Sequence, residues 1–191
     1  MTTNRLEAFS DGVLAIIITI MVLELDVPQG SGLTDLRPVI PVLITYLFSF
    51  IYLGIYWNNH HHLMHITEKV NGKVLWANLH LLFWLSLLPF ATAWMGQNHF
   101  ESKPVALYGF ILLMSAVSWK ILALSIIHVE GETSKLKMAY QKDRKGNISI
   151  IIYGLALVLS FAYPKASIVF YILVALYWFI PDKRIEKTLT Q

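Results

Sequence analysis

The chain has 191 residues, of which 56% are hydrophobic and 14% charged, with a formal net charge of +3 and no cysteine. A soluble domain usually carries about a quarter charged residues, and the missing cysteines exclude disulfides, thiol catalysis, iron–sulfur clusters and cysteine-based zinc sites. The basic residues sit in short loops between apolar blocks, a placement that points to membrane topology and away from nucleic acid.

Length separates a membrane span from a buried core helix: about 18 or more apolar residues with few charges. The blocks predict six spans, at about 5–25, 37–64, 72–97, 104–128, 147–162 and 164–181. The expectation is an all-α, polytopic membrane protein forming one domain over 1–191. The first span follows an arginine, as a signal peptide would. Glu7 and Asp11 interrupt its start, however, and Glu24-Leu25-Asp26-Val27-Pro28 offers no small-residue cleavage site.

Pro38 and Pro41 open the second span and Pro164 the sixth, where a missing N–H costs little. Pro89 lies inside the third, should free the carbonyl four residues back, and predicts a kink. The fifth and sixth spans are short, and Tyr163-Pro164-Lys165 joins them as a helical hairpin. Between the fourth and fifth, 129–146 is dense in charge and reads as a solvated loop.

Orientation follows from the basic residues. With the N-terminus inside, the inner side carries Arg5, Lys69, Lys73 and the basic residues of 129–146 and of the C-terminus. The outer side carries only Arg37, Lys103 and Lys165. This asymmetry places both ends in the cytoplasm.

Asp11 is the residue that asks for an explanation, because an aspartate at mid-bilayer costs about 2.5–3.5 kcal/mol on insertion scales. Its place near the inner end of the first span lowers that cost. Arg5 lies six residues earlier, about 240° around the helix, so the two do not pair within one helix. Candidate partners gather at the same level, in Tyr56-Trp57-Asn58-Asn59-His60-His61-His62 and in Asn71, Trp76, Asn78 and His80. Buried polar groups in a bilayer need partners. The economical solution is a cross-helix network of Ser10, Asp11, His60 or His61, Asn78 and His80, serving as glue between helices.

These residues resemble a known family. Arg-x-x-x-Phe-Ser-Asp, carried here by Arg5, Phe9, Ser10 and Asp11, is similar to the signature of the transmembrane protein 175 family of potassium-selective channels. Trp57-Asn58-Asn59-His60-His61, Leu75-Trp76-Ala77-Asn78-Leu79 and Leu87-Leu88-Pro89-Phe90-Ala91-Thr92 also resemble it. The likeness runs from Arg5 to about Gly96 and is topological beyond. Asn71 stands where an acidic residue is expected and His62 where a basic one is more usual.

The resemblance implies a homotetramer whose first helices line a central pore. Matched from the Phe-Ser-Asp motif, the hydrophobic constriction falls on Ile16, Ile20 and Leu23, with Thr19 as a polar layer between them. Around the helix, Arg5, Phe9, Gly12, Ile20 and Leu23 lie within about 40° of Ile16, Thr19 about 60° and Asp11 about 140° away. Periodicity cannot choose this face, because the helix is apolar all round. The implied function is passive, leak-like potassium conduction in the plasma membrane, with potassium ions and lipid as partners and no cofactor. No Thr-Val-Gly-Tyr-Gly stretch is present; such a pore would select by narrowness and could gate by dewetting.

Other readings are weaker. His60, His61 and His62 point 100° apart and cannot jointly grip one ion, and His61 and His65 lack the His-Glu-x-x-His pattern. No metal site is expected. Lys120, within the fourth span, reads as a snorkelling cation. A coupled secondary transporter, the alternative function, would show broken helices and inverted repeats; only Pro89 hints at a break. A membrane enzyme would need a nucleophile or metal in a polar cavity, and the polar set at the inner end of the first span offers no nucleophile beyond Ser10.

Overall fold

The computed structural model describes residues 2–131, 134, 136–137 and 143–179. Its described residues are helical with short links: α1 Thr3–Leu23, a 3₁₀ turn Leu33–Leu36, α2 Ile40–His65, α3 Gly72–Ser86, α4 Leu88–Gln97, α5 Ser102–Glu130, α6 Arg144–Ser160 and α7 Pro164–Phe179. The predicted sixth span ended at 181, and its last two residues lie outside the described ones.

Four of these rods are long and apolar enough to cross a membrane: α1, α2, the α3–α4 pair and α5. At 1.5 Å per residue, α6 and α7 reach only about 24–26 Å, short of a hydrocarbon core of about 30 Å. The break between α3 and α4 falls at Leu87, two residues before Pro89. There the Leu87 N–H turns back to Trp84 O at 3.3 Å, and a new helix starts with Ala91 N–H to Leu87 O at 3.2 Å. Pro89 has no N–H to offer the Leu85 carbonyl, which is why one rod becomes two.

The core lies where α5 packs against α3 and α6, α2 against α4, and α6 against α7. Leu53, Leu81, Leu88, Leu112, Leu122 and Ile126 are buried in it. Gly96 lets α2 and α4 approach closely: a Cβ there would stand 2.6 Å from the Val42 Cα. The chain leaves α4 through two left-handed residues, His99 (φ 49°) and Phe100 (φ 63°). The Phe100 N–H closes this end on Met95 O at 3.0 Å. In the charged 129–146 segment, two findings go beyond a solvated loop. Leu136 is fully buried, and the Glu130 carboxylate accepts the Glu68 N–H at 2.6 Å, tying α5 to the α2–α3 link.

A second polar cluster lies among the helices. Ser49 Oγ is 2.6 Å from Thr92 Oγ1 and 3.0 Å from Tyr108 Oη. The Tyr52 hydroxyl donates to the Tyr171 carbonyl, and Tyr153 donates to Tyr52 at 3.3 Å. These bonds join α2 to α4, α5, α6 and α7 with neutral groups alone.

Candidate functional site

Helix α1 packs against α2, α3 and α4. Its buried residues are Leu6, Ser10, Leu14, Ile17 and Met21, the three- and four-residue spacing of one helical face. Its other face is uncovered from end to end: Arg5, Phe9, Gly12, Ile16, Thr19, Ile20 and Leu23 are all exposed. Ile16 is 58% and Leu23 80% exposed. The stripe chosen by the family resemblance is therefore the face that the protomer leaves bare. Thr19 donates its hydroxyl to Ile16 O at 2.9 Å, so its oxygen lone pairs remain available as acceptors.

The polar side chains at the end where α1 begins form two clusters. In the buried one, Asn78 bridges its neighbours. Its Nδ2 donates to Ser10 Oγ at 2.9 Å and its Oδ1 lies 2.8 Å from His60 Nε2. Ser10 passes its own proton to Leu6 O at 2.9 Å. Three helices, α1, α2 and α3, meet through this one amide.

The second cluster lies toward solvent. Asp11, half-buried, accepts the Trp57 indole N–H at 3.0 Å. One turn further along α2, His61 Nδ1 stands 2.7 Å from Glu7 Oε1, and its ring stacks on Trp57. The single network expected from sequence is thus divided. Ser10 and Asp11 are adjacent, 100° apart around α1, and cannot both face Asn78. Asp11 turns to α2 instead. His80 stands apart from both clusters, bonded to Trp84 Nε1 at 2.9 Å and near Ser118 Oγ at 3.1 Å. Two residues beyond Asn78, it points about 200° away, toward α5. Arg5 enters no ion pair among the described residues.

Glu7 is the partner that sequence reasoning missed, and Trp57, though within the stretch of candidate partners, is absent from the predicted network. Both were visible as side chains at the right level, and an indole N–H is a donor only, suited to a carboxylate. Lys120 is the cation within the fourth span that sequence reads as snorkelling. It bonds Asn147 at 2.5 Å in the first turn of α6, so it is level with the beginning of the last hairpin. No group of three or more metal-ligating side chains occurs among the described residues.

Both neighbours of α1 carry further exposed apolar side chains, among them Leu43, Leu47, Phe50 and Trp57 on α2 and Trp76, Leu79, Phe83 and Phe90 on α3–α4, so the two flanks differ in their side chains. An open groove of about 610 Å³ runs between α1 and α4, past Ile16, Ile20, Pro89, Phe90 and Trp94.

The family model described as endosomal/lysosomal potassium channel TMEM175 matches residues 5–89, which hold the stripe and both clusters. A protein named potassium channel from Chryseobacterium sp. (strain P1-3) is 62% identical over 191 residues, the full length of both chains. The chain belongs to the transmembrane protein 175 family. The crystal structure of a lysosomal potassium-selective channel TMEM175 homolog from Chamaesiphon minutus superimposes with a TM-score of 0.81. That match has 26% identity and covers 93% of this chain and 96% of the other. The bovine endosomal/lysosomal proton channel TMEM175 is 30% identical over 150 residues, 70% of this chain but 31% of that longer protein. As a transmembrane protein 175 family member the chain is a multi-pass membrane protein of an ion-channel family, and not an enzyme.

Proposed function

We propose that the chain is a potassium-selective, leak-like channel of the plasma membrane, a single six-helix domain over 1–191 acting as a homotetramer with both termini cytoplasmic. The observation that carries this reading is the bare stripe on α1. A helix packed on α2, α3 and α4 of its own protomer, with an exposed row of Ile16, Thr19, Ile20 and Leu23, supports a face turned to a shared axis. One such helix encloses nothing, so closed rotational symmetry is needed. The two unlike flanks suit it: in a ring, the α2 side of one copy meets the α3–α4 side of the next, a heterologous contact that closes.

From Ile16 to Leu23 the stripe rises about 10 Å. Three aliphatic rings over that distance, at Ile16, Ile20 and Leu23, would force an ion to shed water, and such a constriction also gates by dewetting. The Thr19 oxygens, with their protons given inward to Ile16 O, would present lone pairs to a partly dehydrated cation. The two polar clusters at the base would fix the height and rotation of α1. The short α6 and α7 complete the bundle on the side of α5 away from the pore.

Relatives named as potassium channels support the choice of ion. The relative named as a proton channel supports a second reading, in which protons also pass. The test is ion flux in liposomes holding the purified protein, under equal potassium and sodium gradients. Passive potassium flux that exceeds sodium flux is expected. Ile16→Asn should wet the constriction and blur that preference. Flux only with a coupled counter-ion would make the protein a transporter. Acidification of the lumen without added potassium would favour the proton reading.

A further inference from the structure

A crevice of about 300 Å³ opens between α2 and α7, on the far side of the bundle from α1. Its walls include Phe48, Ile51, Ile172, Leu176 and Phe179, with Tyr52, Tyr108 and Tyr171 as the hydroxyl-bearing members. Phe48 and the α1-facing Trp57 are nine residues apart on α2, which places them on opposite faces. The crevice therefore belongs to the outer wall of the bundle. Phe48 to Ile51 lies about 12–16 Å along α2 from its start, at hydrocarbon depth.

We propose that this crevice is a binding site for one lipid acyl chain. Polar occupants are disfavoured because every hydroxyl in the wall is already committed within the protein. Tyr52 donates to the Tyr171 carbonyl, Tyr108 pairs with Ser49 at 3.0 Å, and Tyr171 donates to Val105 O at 3.4 Å. The shape is long: from Ile168 to Phe179 the α7 wall runs about 16 Å. The volume is about twice the roughly 150 Å³ of an engineered apolar cavity that binds benzene. An empty slot of this size would leave its lining without dispersion partners on one side.

In a bilayer no hydrophobic force drives the helices together to close it, whereas the surrounding hydrocarbon can enter from the side. The chain's own C-terminal residues are a poor filler, since Asp182, Lys183, Arg184, Glu186 and Lys187 would bring charge into an apolar slot. A bound chain would act as a wedge between α2 and the α6–α7 hairpin, which otherwise packs chiefly on α5.

The experiment uses the full chain in proteoliposomes with phosphatidylcholine carrying a photoreactive diazirine in one acyl chain, followed by peptide mapping. Labelling at Phe48, Ile51, Ile172 and Leu176 should exceed labelling at Leu155 and Val158, ordinary lipid-facing positions of α6, by several-fold. Ala175→Phe fills the crevice, and Ala175→Leu fills it more gently. Either variant should reduce the crevice labelling to the α6 level and leave Leu155 and Val158 unchanged. The proposal is overturned if wild-type crevice labelling only equals that of α6. It is equally overturned if the crevice is protected by a neighbouring subunit, or if labelling persists in a filled variant that elutes like the wild type. Should both variants fail to fold, the wild-type map decides alone.

Discussion

The two polar regions of this bundle are built from different chemistry. Where α1 begins, carboxylates, imidazoles, an indole and an amide hold α1, α2 and α3 together through Asp11–Trp57, Glu7–His61 and Ser10–Asn78–His60. Among α2, α4, α5, α6 and α7, the buried links are neutral: hydroxyl to hydroxyl in Thr92–Ser49–Tyr108 and Tyr153–Tyr52, and hydroxyl to backbone carbonyl from Tyr52 to Tyr171. The physical reason is depth. A charge near the helix ends keeps some water, while at mid-bilayer it costs several kcal/mol and neutral groups are the affordable glue. The helix proposed to line the pore is thus held by the stronger, mixed set, and the buried centre of the supporting bundle by the weaker, neutral one.

If that contrast is real, substitutions should fall in a definite order. Asn78→Leu should do the most damage, because His60 Nε2 loses its partner in a buried site while Ser10 Oγ keeps only its bond to Leu6 O, at about 1–3 kcal/mol in all. Thermal unfolding in detergent would measure it, and a loss below about 1 kcal/mol would remove the buried amide from its central role. Asp11→Ala comes next. Its charge-assisted bond to Trp57 is half-exposed, so a loss of about 1 kcal/mol is expected. Trp57→Phe should cost a similar amount, and the double variant little more. Full additivity would mean that the two side chains do not act together.

Thr92→Val should weaken the hydroxyl cluster by only about 0.6 kcal/mol, the average for such bonds in membrane bundles. A loss as large as that of Asn78→Leu would erase the distinction between the regions. Glu7→Gln should be the mildest. The His61 side chain is 51% exposed and that of Glu7 21%, and exposed pairs contribute about 0–1 kcal/mol.

Much of this arrangement was legible in the sequence, for reasons that also explain what was not. Long apolar blocks gave the helices to within a few residues, since a bilayer leaves a helix little alternative. Pro89 foretold the α3–α4 break, because the loss of one N–H is a local event. The level of the polar groups was also readable, from topology alone. Their pairing was not. Adjacent residues such as Ser10 and Asp11 diverge by 100°, and which neighbour each meets depends on helix packing that no spacing encodes. His80 was assigned to the wrong neighbour for the same reason. The hydroxyl cluster went unread because Ser49, Tyr52, Thr92 and Tyr171 sit singly within apolar runs and become a cluster only on packing.

The central claim is that the bare face of α1 borders the ion path, and the absence of native cysteine allows a direct test. Potassium flux would be followed in liposomes bearing Ile16→Cys, before and after a small, membrane-impermeant thiol reagent, with Leu155→Cys on α6 as the control. The account predicts that the reagent blocks most of the flux through Ile16→Cys and leaves Leu155→Cys unaffected. Unchanged flux after confirmed modification of Ile16→Cys would place the pore elsewhere.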